Sequence, residues 1–200
     1  MRVAFHKSSA ILAASTVTGA VGIFEYGLEG NTQRAYLEHH KESTRALQYS
    51  HDGGTLFMGS KDLSISAFDL SRACVSGTMS KAHEAPISCL RVLDQNTLVS
   101  GDDDGTIRLW DLRQAKSTHT LSEHEDFISD IQLAQDEKTL ICSGGDGYLS
   151  VWNRKSGKLI AMSDQMDDEF LSIQILKHGK KVVAGTQSGV LAIFSWGNWY

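Results

Sequence analysis

The stretch Asp104-Gly105-Thr106-Ile107-Arg108-Leu109-Trp110-Asp111 decides the fold, because the chain keeps returning to it. Its second half recurs as Val21-Gly22-Ile23-Phe24-Glu25, Ile65-Ser66-Ala67-Phe68-Asp69, Leu149-Ser150-Val151-Trp152-Asn153 and Leu191-Ala192-Ile193-Phe194-Ser195. The aromatic position falls at 24, 68, 110, 152 and 194, in steps of 44, 42, 42 and 42 residues. Each copy alternates with the two-residue period of a strand. Six residues before each aromatic stands a turn dipeptide: Thr18-Gly19, Asp62-Leu63, Asp104-Gly105, Asp146-Gly147 and Ser188-Gly189. Asp-Gly between two alternating runs specifies a hairpin, since Asp caps the turn and Gly accepts a positive φ.

In three copies a His lies 21 or 22 residues before the turn Asp, pairing His40 with Asp62, His83 with Asp104 and His124 with Asp146. A period of about 40–45 residues carrying these marks resembles the WD repeat, whose unit is one four-stranded sheet of a β-propeller. The fold expected is therefore all-β, a WD-repeat propeller with about five of an expected seven blades. The repeats run over residues 1–38, 39–80, 81–121, 122–163 and 164–200, in one propeller region spanning 1–200. The resemblance implies a buried tetrad of imidazole, hydroxyl, carboxylate and indole in each blade. In the third repeat His83, Ser100, Asp104 and Trp110 fill it. The fourth keeps His124, Asp146 and Trp152 but has Cys142 at the hydroxyl position, and the second has Met58 and Phe68 beside His40 and Asp62. The first and fifth have no matching His.

Propellers close into rings of typically four to eight blades. The chain starts at the innermost strand of its first blade, around Val3 to Phe5, and stops just past the third strand of its fifth. It is thus expected to be part of an incomplete ring, with roughly 80–100 residues due elsewhere. A closed five-bladed ring is the alternative. Open ends leave unpaired edges, so the isolated piece is expected to be poorly soluble.

Composition agrees with a globular protein: 41% apolar, 22% charged, 18 Gly and one Pro. A net charge of −5 argues against a broad phosphate-binding surface. The short basic clusters Lys177, Lys180, Lys181 and Arg154, Lys155, Lys158 read as solvated hairpin tips. Cys74, Cys89 and Cys142 form no C-x-x-C pair, and are expected to be reduced. The run from Ile11 to Phe24 imitates a signal peptide, but it is broken by Ser15, Thr16 and Thr18 and lies in register with the repeat, so it reads as strand. No stretch reaches the length of a membrane span.

Recurrence of the His residues at the repeat period argues for a frame and against a single catalytic constellation. The run Asp102-Asp103-Asp104 lacks the spacing of a calcium loop. Neither a metal, a cofactor nor a catalytic residue is expected. A rigid propeller without chemistry is a platform whose loops choose partners. Lys61 and Asp103, each just before a turn Asp, are candidate contacts.

Several stretches together resemble one family, WD-repeat-containing protein 55: His39-His40-Lys41, Ser60-Lys61-Asp62, Lys81-Ala82-His83-Glu84-Ala85-Pro86-Ile87, Gly101-Asp102-Asp103, and the aromatic run from Phe194 to Trp199. The resemblance implies a non-enzymatic scaffold of the nucleus and nucleolus, in ribosomal RNA production and large-subunit biogenesis, with pre-ribosomal assembly factors as partners. A cytoplasmic location is the alternative. Trp110-Asp111-Leu112-Arg113 also resembles the Trp-Asp-x-Arg motif by which substrate receptors dock on the adaptor of cullin-RING ubiquitin ligases. On that second reading Asp111 and Arg113 carry the contact, Arg113 through a planar, bidentate guanidinium. A third reading, direct RNA binding, is disfavoured by the net charge.

Overall fold

The computed structural model describes residues 1–176, 179 and 181–195. Of the stretches singled out above, Lys177, Lys180 and the part of the aromatic run after Ser195 lie outside the described residues. The described residues form nineteen strands in five antiparallel sheets and no helix. The first sheet holds β1 (Val3–Phe5), β2 (Ile11–Ser15), β3 (Val21–Gly27) and β4 (Gly30–Leu37), and the second β5 (Thr44–Tyr49), β6 (Thr55–Ser60), β7 (Ile65–Asp69) and β8 (Cys74–Met79). The third is built from β9 (Ile87–Val92), β10 (Thr97–Asp102), β11 (Ile107–Asp111) and β12 (Lys116–Leu121), and the fourth from β13 (Ile128–Leu133), β14 (Thr139–Gly144), β15 (Leu149–Asn153) and β16 (Lys158–Met162). Three described strands make the fifth: β17 (Phe170–Ile175), β18 (Lys181–Thr186) and β19 (Leu191–Ser195). Within every sheet the strands stand side by side in chain order.

Two local devices repeat with the sequence. The hairpin between the second and third strands turns through a left-handed residue at the same position each time: Gly19, Leu63, Gly105, Gly147 and Gly189, with φ between 70° and 93°. Leu63 is the exception in chemistry and not in backbone, holding φ at 70° with a side chain attached. Just before the aromatic, the pairing of the third strand with the fourth slips by one residue, between Ile23 and Phe24, Ala67 and Phe68, Leu109 and Trp110, and Val151 and Trp152. A bulge of this kind sharpens the local twist.

The chain divides into two compact units, residues 1–98 and 99–200. In the first unit, Ile11, Ala13, Val21 and Ile23 of the first sheet are buried in one cluster with Leu47, Tyr49, Leu56, Met58 and Phe68 of the second. In the second unit, Ile141 and Leu149 of the fourth sheet share a cluster with Phe170, Ile173, Val182 and Ala184 of the fifth. The period-2 pattern explains both, since alternate residues of each strand point to opposite faces and each face is apolar. The run from Ile11 to Phe24 is β2, a turn and the start of β3. None of the three cysteines is in a disulfide; Cys89 and Cys142 are buried and Cys74 is exposed. Among the described residues no helix is long and apolar enough to cross a membrane.

Candidate functional site

The fourth sheet carries the most complete polar frame. His124 Nδ1 lies 3.0 and 2.9 Å from the two carboxylate oxygens of Asp146, and His124 Nε2 lies 2.7 Å from Ser150 Oγ. The Trp152 indole N–H donates to that same hydroxyl oxygen at 2.7 Å. A carboxylate only accepts, so Nδ1–H donates to Asp146, which leaves Nε2 of a neutral ring as the acceptor for the Ser150 hydroxyl. The result is a relay in which each group both takes and gives: indole to hydroxyl, hydroxyl to imidazole, imidazole to carboxylate. Asp146 also accepts the backbone N–H groups of Glu125 and Tyr148, tying the loop before β13 to the β14–β15 turn.

Ser150 is the functional residue that repeat alignment missed. The expected hydroxyl position is occupied by Cys142 on β14, and Ser150 is its register partner across the ladder on β15. The hydroxyl has therefore crossed to the neighbouring strand on the same face. The signal was present in the sequence as a Ser two residues before the aromatic in the second and fourth repeats, Ser66 and Ser150.

Hydroxyl, imidazole and carboxylate in line are also the parts of a catalytic triad. Here the hydroxyl is wholly buried and its oxygen is occupied by the indole N–H. A nucleophile must meet a substrate, whereas Ser150 meets only its own frame.

The second sheet shows what happens when the frame is incomplete. His40 Nδ1 is 3.0 Å from Asp62 Oδ2 and 3.1 Å from Ser64 Oγ, and Asp62 also accepts the N–H groups of Lys41 and Ser64. Ser66, the counterpart of Ser150, is instead 3.2 Å from Thr78 Oγ1. With Met58 and Phe68 supplying no polar hydrogen, His40 Nε2 is buried without a hydrogen-bond partner. Burial holds the His40 ring below its ordinary 6.5, against the opposing pull of Asp62. Burial pushes Asp62 up, but the hydrogen bonds from Ser64 and His40 outweigh it and its carboxyl lies low.

A lowered folded-state value means that the unfolded chain binds the His40 proton first as pH falls. This contribution to stability is complete above pH 6.5 and is lost as pH falls from there toward the folded-state value. The urea midpoint is therefore expected to drop between pH 7.5 and pH 5.5, and His40→Gln to flatten that slope; an unchanged slope in the variant removes His40 as its cause.

In the third sheet the structure corrects the alignment. Asp104, read as the tetrad carboxylate, is exposed. Asp102, two residues earlier, is buried and accepts the N–H groups of Asp104 and Thr106 at 3.1 and 2.8 Å. The turn folds back onto the first carboxylate of the three and leaves the last in water. His83 and Ser100 are fully buried, and Trp110 Nε1 donates to Ser100 Oγ at 2.8 Å. In the fifth sheet Asp168, on the loop before β17, accepts both the N–H and the hydroxyl of the turn residue Ser188. That pair closes the loop without an imidazole.

The candidate partner contacts sit apart from these frames. Lys61, exposed on the β6–β7 turn, has its ammonium 3.7 Å from Glu42. Asp103 is half-buried in the β10–β11 turn. Asp111 ends β11, and its carboxylate accepts Arg113 Nε at 3.0 Å, Arg113 Nη2 at 2.6 Å and the Arg113 backbone N–H at 2.9 Å. The guanidinium holds the Asp111 carboxyl down to about 2. Asp69 and Asn153 cap the equivalent turns through the N–H groups of Ser71 and Arg72 and of Lys155 and Ser156. Capping is thus the common task of this position, and the bidentate fork is added by Arg113. Among the described residues no group of three His, Cys, Asp or Glu side chains is placed to hold a metal.

Comparison with known proteins agrees with this architecture. The structure superposes on the β-propeller domain of Cps50 (Swd1) from Myceliophteria thermophila with a TM-score of 0.84 at 16% identity, covering 98% of this chain and 64% of that one. The WD40 propeller domain of Doa1 gives 0.84 at 20% identity, with 63% of it covered. These likenesses establish a WD-repeat β-propeller fold. Among curated sequences, WD repeat-containing protein 55 of Rattus norvegicus is 40% identical over 95 residues, that of Homo sapiens 39% over 95, and that of Danio rerio 37% over 96. Each match takes in just under half of this chain and spans 25% of the relative's length. The WDR55 family model matches residues 1–200. A protein-interaction scaffold built of WD repeats, the chain belongs to the WDR55 family.

Proposed function

We propose that this scaffold acts in ribosomal RNA production and large ribosomal subunit biogenesis, in the nucleolus, by holding pre-ribosomal assembly factors. The observation that carries the reading is the family match along the whole chain. It is supported by the imidazole and carboxylate groups of the second and fourth sheets, which are spent on buried hydrogen bonds between loop and turn. The exposed turns between them are left to choose partners.

Docking on the ligase adaptor through Asp111 and Arg113 is the competing function for the same surface. The intact fork works against it, since Arg113 must loosen its hold on Asp111 to present both guanidinium nitrogens to a partner. The test is purification of the tagged full-length parent from cells at mild salt, with Arg113→Ala alongside. Recovery of large-subunit assembly factors, unchanged by the substitution, is expected. Recovery of the ligase adaptor and its cullin, lost in Arg113→Ala, would replace the ribosomal reading.

A further inference from the structure

The repeat makes the two end sheets directly comparable with the inner ones. In the first unit the second sheet turns Leu47, Tyr49, Leu56, Met58 and Phe68 onto the first sheet. In the second unit the fifth sheet turns Ile173, Val182, Ala184 and Phe194 onto the fourth, with Ile175 beside them. The residues of the first sheet at the same repeat positions are Val3, Phe5, Leu12, Ala14 and Phe24. They share one face, because Val3 pairs with Ala14, Phe5 with Leu12 and Leu12 with Phe24. Yet Val3 is 55% and Phe5 64% exposed, where their counterparts Leu47 and Tyr49 are 6% and 2%.

The fifth sheet shows the complementary face. Ile141, Leu149 and Val151 of the fourth sheet are buried on the side that meets the fifth. Their counterparts are Val183, Leu191 and Ile193, of which Leu191 is 73% and Ile193 63% exposed. A polar contact accompanies the inner interface: Gln132 Nε2 donates to the Ile173 carbonyl at 3.2 Å. The counterpart of Gln132 is Gln174, which is exposed and donates to the Ile175 carbonyl beside it. The counterpart of Ile173 is Val3.

We propose that a second copy of this chain docks its fifth sheet on the first sheet, using the face that the inner sheets already use on one another. Val183, Leu191 and Ile193 of one copy cover Val3, Phe5, Leu12 and Phe24 of the next, and Gln174 turns to the Val3 carbonyl. The chain itself supplies both halves of an interface it has already formed between neighbouring sheets, which is why the occupant is another copy. The contact is heterologous, so each dimer still presents one free face of each kind.

The test is sedimentation velocity of the 200-residue chain over a concentration series reaching the high micromolar range. Mass is expected to rise above 21.9 kDa with concentration. Phe5→Glu and Ile193→Glu, both at exposed positions that leave the fold intact by circular dichroism, should each weaken association at least tenfold. Mixing the two variants should restore dimers and stop there, because each keeps the face that the other lacks. A chain that stays monomeric overturns the proposal, as does association that neither substitution weakens. If the monomeric chain instead captures a separately produced piece carrying further repeats of its parent, the face belongs to those repeats and not to a second copy.

Discussion

Gly19→Ala is expected to destabilise the first unit by about 2–5 kcal/mol, the sum of a left-handed residue gaining a Cβ and overpacking against rigid backbone. The added methyl would lie 2.5 Å from the carbonyl oxygens of both His40 and Glu42, and neither carbonyl can rotate away as a side chain could. Gly19 also offers its own carbonyl to the buried Thr44 hydroxyl at 2.8 Å, so any shift of the turn breaks a bond that joins it to β5. Gly189 provides the control. It holds the same hairpin position with φ at 87°, but a Cβ there meets nothing within 4 Å. Gly189→Ala should therefore cost only the backbone preference, about 1 kcal/mol. Urea unfolding of the two variants separates the contributions; equal losses would mean that close approach adds nothing.

The second large effect belongs to Ser150→Ala. The substitution removes the middle of the relay and leaves two buried groups, the Trp152 indole N–H and the His124 Nε2 lone pair, without partners. At about 1–3 kcal/mol for each orphaned group the loss is about 2–5 kcal/mol. Ser66→Ala, which deprives only a neighbouring hydroxyl, should cost about 1 kcal/mol. Adding Cys142→Ser to Ser150→Ala returns a hydroxyl to the strand that carries Ser100 in the third sheet, where it accepts Trp110 at 2.8 Å. Recovery of at least part of the loss is expected. A double variant no more stable than Ser150→Ala would show that the relay depends on its present strand.

The period alone made the strands, the hairpins and their order readable, since each sheet repeats one pattern of alternation and one turn. The frame was less legible for a definite reason. Alignment assigns roles by position along a strand, whereas a hydrogen bond is decided across the ladder, and Cys142 and Ser150 are opposite one another there. Three adjacent aspartates posed a similar problem: counting from Trp110 selects Asp104, while the turn buries Asp102. The fork between Asp111 and Arg113 was visible as a motif. Its internal closure was not, because spacing does not say whether an arginine faces a partner or its own cap.

The unbroken chain order of strands within every sheet has a kinetic consequence. Each strand finds its partner a hairpin away, so loop closure costs little and a sheet can form as soon as its own roughly 40 residues are available. Synthesis from the N-terminus would then deliver finished sheets one at a time, each settling on the one before it. Amide exchange should follow the same division, with each sheet opening as its own cooperative step.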